Sequence, residues 1–220
     1  MNPPKLTIAT FVEPSFGQNA YVVSTAAEGG RIGWIIDPGF SPQVDELLAH
    51  ARDQGIRIER IVITHGHLDH IAGVDAARRA HPAARVAMPV EEWGSLGSAE
   101  ENLSAALGMD LTQTTRADED LPPGGELSLG PLSWRILDVS GHSPAGRALY
   151  CPQAGVVFSG DALFAGSIGR TDFPGADAPR LLRNIRTHLF QLPPETVVYA
   201  GHGPPTTIEN ERKFNPFVSD

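Results

Sequence analysis

The strongest constraint on the fold is a set of apolar runs that each end in a candidate metal ligand. One run, at residues 58–63, is apolar enough for a buried strand and leads directly into Thr-His-Gly-His-Leu-Asp-His at residues 64–70. Further along, apolar runs end at His142, Asp161 and His202, each next to a glycine. Side chains at the carboxyl ends of strands commonly form the ligand sites of α/β proteins. The pattern therefore predicts several strands that deliver polar side chains to a ligand site.

Short β-rich runs alternate with helical patterns along the chain, with no fixed-period repeat and no obvious linker. Strands are predicted at residues 6–11, 20–23, 32–36, 58–63, 85–88, 127–129, 134–139, 148–151, 156–158 and 196–199. Helices are predicted at residues 42–54, 69–80, 100–107 and 178–190, the first with Ser41 as its N-cap. We expect two sheets packed face to face with helices outside. The stretch at 90–120 is too long for an ordinary connection, and such excursions often line binding sites.

Composition restricts the class of protein before any site is considered. The 220 residues fit one domain spanning residues 1–220, and 26 acidic against 17 basic residues give a formal net charge of −9. A nucleic-acid-binding protein usually has the opposite balance. The single cysteine, Cys151, excludes an intramolecular disulfide and a cysteine-rich zinc site. With no signal-peptide pattern and no apolar run of about 18 residues, we expect a soluble cytoplasmic protein without nucleic-acid or membrane partners.

The histidine-rich segment is the most informative part of the sequence. His65 and His67 are two residues apart in an extended segment, so their side chains point to the same side. Asp69 and His70 follow where the chain turns into a helix, and the turn can aim them at a second point a few ångströms away. Imidazole and carboxylate ligands at this density suit a transition metal ion.

These motifs resemble the metallo-β-lactamase superfamily, whose His-x-His-x-Asp-His signature corresponds to His65–His70. The later single ligands of the family correspond to His142, Asp161 and His202, so the resemblance covers essentially the whole chain. It implies an α+β fold, the four-layer αββα sandwich. Two further stretches are similar to the short, glyoxalase II-like hydrolases of the superfamily: Gly-Ser-Ile-Gly-Arg-Thr-Asp-Phe-Pro-Gly at 166–175, and the tail that begins with Gly-His-Gly-Pro at residue 201.

The resemblance implies two divalent metal ions, with zinc as the expected metal and iron or manganese as alternatives. The implied ligands of the first ion are His65, His67 and His142. Those of the second are Asp69, His70 and His202, with Asp161 bridging both ions. Asp37 corresponds to the family position that supports a histidine ligand, although a carboxylate before Pro38-Gly39 also fits a simple turn.

The implied activity is hydrolysis of an acyl thioester such as S-lactoylglutathione. A hydroxide that bridges the two metal ions would attack the carbonyl carbon, with Asp161 and Asp69 as the candidate catalytic residues. Arg170 is the candidate cation for an anionic substrate, and a buried ion pair with Asp172 is its alternative role. Only 18 residues follow His202, so we do not expect the C-terminal helical domain that binds glutathione in full-length glyoxalase II. Recognition of glutathione therefore stays open, as does the oligomeric state.

Three alternatives to a thioester hydrolase remain open. Persulfide dioxygenases of the same superfamily share the Gly-Arg-Thr-Asp-Phe stretch and bind one iron at positions corresponding to His65, His142 and Asp161. Their segment after the last histidine differs from Gly203-Pro204, which favours a hydrolase. A lactonase, phosphodiesterase or β-lactamase-like hydrolase is the second alternative, and a metal-binding module without activity is the third.

Overall fold

The computed structural model describes residues 5–218. The chain forms two compact units: the first ends at Leu121 and also includes Ser128–Leu132, and the second comprises Pro122–Leu127 and the chain from Ser133 onward. Within the described residues, every helix is too short or too polar to cross a membrane.

A six-stranded sheet in the order β1-β2-β3-β4-β5-β6 organises the first unit. Its strands are β1 (Thr7–Val12), β2 (Asn19–Ala27), β3 (Gly30–Ile36), β4 (Ile56–Val62), β5 (Arg85–Met88) and β6 (Glu119–Asp120). The first three strands are antiparallel neighbours, whereas β3 to β6 run parallel. Because β3 and β4 are parallel neighbours, the residues that follow them lie at the same edge of the sheet.

Helix α1 (Gln43–Asp53) covers this sheet with one apolar face. Val44, Leu47 and Ala51 recur at helical spacing and are buried, and Leu47 and Ala51 join the core of the unit. The predicted start of this helix was wrong by one residue, because Pro42 rather than Ser41 occupies the N-cap position.

The helix predicted over 69–80 is two helices, α2 (Leu68–Ile71) and α3 (Val74–Ala80). Gly73 separates them and lies against the turn that follows β3. Its amide donates to the Pro38 carbonyl at 2.8 Å, and a Cβ at Gly73 would lie 2.6 Å from the Gly39 carbonyl oxygen. This close backbone approach admits only glycine, and it ends the short helix that carries two of the candidate ligands.

The helix predicted over 100–107 was also wrong. The excursion instead contains a 3-10 helix at Val90–Gly97 and a single 3-10 turn at Ala105–Leu107. Asn102 explains the difference, since its buried amide group donates to the carbonyls of Ser95 and Leu111 and accepts from the Ser104 amide. Side-chain hydrogen bonds of this kind compete with helix formation.

A second six-stranded sheet has the order β14-β13-β10-β9-β8-β7. Its strands are β7 (Glu126–Leu129), β8 (Leu132–Asp138), β9 (Arg147–Cys151), β10 (Val156–Gly160), β13 (Val197–Ala200) and β14 (Thr206–Thr207), and β11 (Leu163–Phe164) with β12 (Ser167–Ile168) forms a separate hairpin. Strands β10 and β13 are parallel neighbours, so the residues that follow them share one edge.

Two helical segments complete the second unit. The helix predicted over 178–190 is α4 (Ala178–Asn184), which begins after the N-cap Asp177 and continues as a π-helical turn at Ile185–Leu189. Helix α5 (Ile208–Phe214) was not predicted, and the hydroxyl group of Thr207 caps it. The core of this unit packs apolar residues of these helices against β10 and β13.

Candidate metal centre

In the first unit, the histidine segment leaves the end of β4 beside the turn that follows β3. His65, His67, Asp69 and His70 are all buried. The ring centroid of His65 lies 4.7 Å from that of His67 and 4.1 Å from that of His70. Three imidazole rings at these distances cannot all carry a positive charge at low cost. The cluster therefore suits neutral imidazoles, which is the form that coordinates a metal ion.

Asp37 and Thr64 fix the orientation of two of these rings. The Asp37 carboxylate accepts hydrogen bonds from the Thr64 amide and hydroxyl, both at 2.7 Å, and lies 2.9 Å from Nδ1 of His70. Since the Thr64 hydroxyl donates to Asp37, its oxygen is free to accept from Nδ1 of His65 at 3.1 Å. Both histidines then carry their proton on Nδ1, and Nε2 presents its lone pair as the coordinating atom.

The backbone of Asp37 is itself unusual, with a φ of 50° in the left-handed region. Such a conformation costs about 1–3 kcal/mol in a residue other than glycine and clusters at functional sites. The carboxylate faces the histidine segment, so its contacts match the supporting position that the resemblance implies.

In the second unit, three candidate ligands follow β8, β10 and β13. Nε2 of His142 lies 3.5 Å from a carboxylate oxygen of Asp161, and Nε2 of His202 lies 3.4 Å from the same oxygen. Nδ1 of His142 lies 2.7 Å from the carbonyl oxygen of Arg170. This histidine also has its Nδ1 engaged by an oxygen, so Nε2 is the nitrogen that can coordinate a metal ion.

The spacing of these atoms fits ligands that share an ion. Two ligand atoms at about 2.0–2.1 Å from a tetrahedral zinc ion lie about 3.3 Å apart. The Asp161 oxygen is close to this value with His142 and His202, whereas Nε2 of His70 lies farther, at 3.9 Å, from an Asp69 oxygen. Ordinary N–H···O hydrogen bonds are shorter, at about 2.7–3.2 Å. The donor types and their spacing therefore fit divalent metal ions.

A polar network supports the loop that carries His142. The Asp138 carboxylate accepts from the amide and hydroxyl of Ser140, and Asn184 donates to the Ser140 carbonyl at 3.0 Å. Burial by itself would raise the pKa of Asp138, but the hydrogen bonds from Ser140 and the positive charge of Arg147 hold that pKa below its ordinary value. The carboxylate is therefore charged at neutral pH and holds the loop firmly.

The β11–β12 hairpin brings a second support to the same histidine. A Cβ at Gly169 would lie 1.9 Å from the Asp161 carbonyl oxygen and 2.9 Å from the His142 ring. Only glycine fits there, so the chain passes directly under both candidate ligands. Glu211 anchors the hairpin, because its carboxylate accepts from the Gly166 amide and from the side chain of Asn215, both at 2.8 Å.

Arg170 has a different environment from the one expected. Its guanidinium group forms a two-pronged ion pair with Asp172 at 2.6 and 2.7 Å and lies 4.1 Å from the ring centroid of Phe173. The ion pair is exposed, so the expectation of a buried pair was wrong. The contact between Arg170 and His142 is made by the backbone carbonyl, which no sequence pattern could specify.

The excursion after β5 has two faces within the first unit. One face, with Glu92 and Ser95, lies against Gly66 of the histidine segment. The other face, which includes Trp93, lines a cavity of about 460 Å³. Sequence reasoning expected this stretch to line a binding site but did not identify its contact with the histidine segment.

Comparison with known proteins identifies the class of protein that these features define. Residues 14–202 match the model of the metallo-beta-lactamase superfamily. The chain therefore belongs to this superfamily, and the prediction of its α+β metallo-β-lactamase fold is confirmed.

Individual relatives narrow the likeness further. The chain is 36% identical to the probable metallo-hydrolase YqgX of Bacillus subtilis and 33% identical to the hydroxyacylglutathione hydrolase GloC of Haemophilus influenzae, each over 84% of this chain and 86% of the relative. Among solved structures it is similar to the BLEG-1 B3 metallo-beta-lactamase, with a TM-score of 0.90, 33% identity and coverage of 97% and 100% of the two chains. The di-iron-bound form of TTHA1623 gives a TM-score of 0.82 at 34% identity, with coverage of 95% and 99%. The likeness to glyoxalase II-like hydrolases thus rests on a named relative as well as on motifs.

Proposed function

We propose that the chain is a metal-dependent hydrolase of acyl thioesters that holds two divalent metal ions. The observation that carries the proposal is the shared orientation of three of the five candidate histidines, His65, His70 and His142, each with an oxygen at Nδ1 so that Nε2 can coordinate a metal ion. The first unit supplies His65, His67, Asp69 and His70, and the second unit supplies His142, Asp161 and His202. We assign these side chains to the two ligand sets, with Asp161 shared, that the family resemblance implies.

When bound, two divalent ions would lower the pKa of a shared water molecule from its high value in bulk water toward about 7 and supply positive charge for a developing oxyanion. The residues of the chain set the conditions for this chemistry. Asp161 is the proposed acceptor of the proton that the water molecule loses, and Asp69 offsets part of the metal charge. The leaving thiolate needs little protonation, which explains why a thioester is a suitable substrate for this set of residues.

The proposed substrate is a cytoplasmic acyl thioester such as S-lactoylglutathione. It is supported by the likeness to the hydrolase GloC, whose name states that it acts on hydroxyacylglutathione. Zinc is the proposed metal, because nitrogen and carboxylate ligands suit it. Iron and manganese stay as alternatives, and the di-iron form of TTHA1623 favours iron among them.

The first experiment is metal analysis by mass spectrometry of protein purified without added metal or chelator, followed by a thioesterase assay with S-lactoylglutathione. We expect about two metal ions per chain and hydrolysis that disappears, together with metal, in Asp161→Ala. Full activity of Asp161→Ala with unchanged metal content would overturn the proposed mechanism. One iron per chain, with oxygen consumed in the presence of glutathione persulfide, would establish the dioxygenase alternative instead. Two metals with lactone or β-lactam hydrolysis alone would keep the centre and reject the thioester.

A further inference from the structure

Two backbone amides of the histidine segment donate to the excursion that follows β5. The Gly66 amide donates to a carboxylate oxygen of Glu92 at 2.5 Å, and the Leu68 amide donates to the Asn102 carbonyl at 3.0 Å. Gly66 and Leu68 alternate with the candidate ligands along the segment. The excursion therefore accepts hydrogen bonds from the two residues that lie between the candidate ligands.

Glu92 is an unusual acceptor for this role. Its side chain is buried, and burial of a carboxylate is costly unless strong hydrogen bonds compensate it. A bond between a carboxylate and an amide N–H is shorter and about twice as strong as a neutral one. The bond to the Gly66 amide holds the peptide unit that joins His65 to Gly66, and this restricts the directions in which the side chains of His65 and His67 leave the backbone.

The contact between Gly66 and the helix at Val90–Gly97 leaves no space for a side chain at Gly66. A Cβ at Gly66 would lie 2.2 Å from the hydroxyl oxygen of Ser95 and 3.0 Å from the Glu92 carboxylate. The Ser95 hydroxyl donates to the Glu92 carbonyl at 2.7 Å, and Asn102 donates to the Ser95 carbonyl at 2.9 Å. Asn102 therefore stabilises the helix at Val90–Gly97 in its position against Gly66.

We propose that Glu92 is a positioning residue of the metal centre. It holds the Gly66 amide so that His65 and His67 are set for coordination before the metal arrives, and its negative charge adds to the attraction for cations. In this proposal Glu92 acts through the Gly66 amide and not on the substrate. The inference rests on the metal centre of the proposed function but not on the thioester substrate.

The test compares zinc affinity, measured by competition with a chromophoric chelator, in the wild-type protein and three variants. Glu92→Ala removes the acceptor, and we expect about 10–100-fold weaker zinc binding, the range seen when a supporting partner of a ligand is lost. Glu92→Gln keeps an oxygen that can accept from Gly66, so it recovers most of that loss. Glu100→Gln, an exposed carboxylate of the same excursion, serves as the matched control and leaves the affinity unchanged.

Thermal unfolding of the metal-free protein separates positioning from simple stability. Glu92→Ala with wild-type zinc affinity and a lower melting temperature would overturn the inference, as would equal losses in Glu92→Ala and Glu92→Gln. If Glu92→Ala does not fold, Gly66→Ala tests the same contact, because the new Cβ collides with Ser95 and should weaken zinc binding. In the double variant Gly66→Ala/Ser95→Gly the colliding side chain is gone, and zinc binding should be restored. Failure of that rescue would also overturn it.

Zinc affinity tests the role of Glu92 separately from the thioesterase activity of the proposed function. A wild-type protein that binds two zinc ions but does not hydrolyse S-lactoylglutathione would reject the substrate and leave the role of Glu92 testable by affinity. A wild-type protein that binds no zinc, iron or manganese would reject both.

Discussion

Replacement of Asp37 by asparagine tests how the histidine rings are oriented. The wild-type carboxylate faces three donors: the amide and hydroxyl of Thr64 and Nδ1 of His70. An amide of the same size keeps one oxygen, and in either orientation its NH₂ group faces a donor N–H. The Thr64 hydroxyl can rotate, but His70 can avoid the conflict only by moving its proton to Nε2, where it blocks coordination.

The expected cost follows from the number of bonds that lose a charged acceptor. Hydrogen bonds to a charged group contribute about 1.5–3 kcal/mol each, and a buried donor without an acceptor costs about 1–3 kcal/mol. Because one acceptor survives, we expect Asp37→Asn to lower the free energy of unfolding of the metal-free protein by about 2–4 kcal/mol. At about 2–4 °C per kcal/mol for a chain of this size, the melting temperature should fall by about 4–16 °C.

Urea unfolding of the metal-free protein and metal content after dialysis against zinc are the two assays. We expect Asp37→Asn to retain less zinc than the wild type, with affinity about 10–100-fold weaker, because His70 is misoriented. Asp53→Asn, on the exposed end of α1, is the control and should stay within about 0.5 kcal/mol of wild type. An Asp37→Asn protein with two zinc ions per chain and unchanged unfolding energy would refute the reasoning.

Three further predictions concern the second unit. Although burial alone would raise the pKa of Glu211, several hydrogen bonds lower it in the folded state. The contribution of this carboxylate to stability is therefore present above about pH 4.5 and is lost as the pH falls. In urea unfolding, the difference in stability between wild type and Glu211→Gln should be larger at pH 7 than at pH 4. Gly169→Ala should cost at least about 1–3 kcal/mol by overpacking and should lower metal content, because the new Cβ collides with Asp161 and His142; wild-type melting and metal content would contradict this. Arg170→Ala should keep its metal by mass spectrometry, since its backbone carbonyl is what contacts His142, while a rise in KM at unchanged kcat would assign its side chain to substrate binding.

The sequence predicts most of the strands and identifies candidate ligands because both depend on residue type. Apolar runs such as residues 58–63 specify a buried strand, and the histidines and aspartates at the ends of the strands are the residues that a metal requires. The excursion at 90–120 could not be predicted in the same way. Its course depends on Asn102, whose side chain replaces helical hydrogen bonds with contacts to Ser95 and Leu111, and no local pattern distinguishes that asparagine from a surface residue.

The groups that orient the candidate ligands also differ in how far residue type reveals them. The support of His70 is a side chain, the Asp37 carboxylate, and its position is recognisable through the family resemblance. His142 is supported by a backbone carbonyl, and Glu92 supports the segment between His65 and His67 by accepting from a backbone amide. Backbone groups are present at every residue, so their use leaves a trace in the sequence only where space is short, as at Gly66 and Gly169. Glycines beside candidate ligands therefore point to positions where a supporting segment of the chain passes too closely for any side chain.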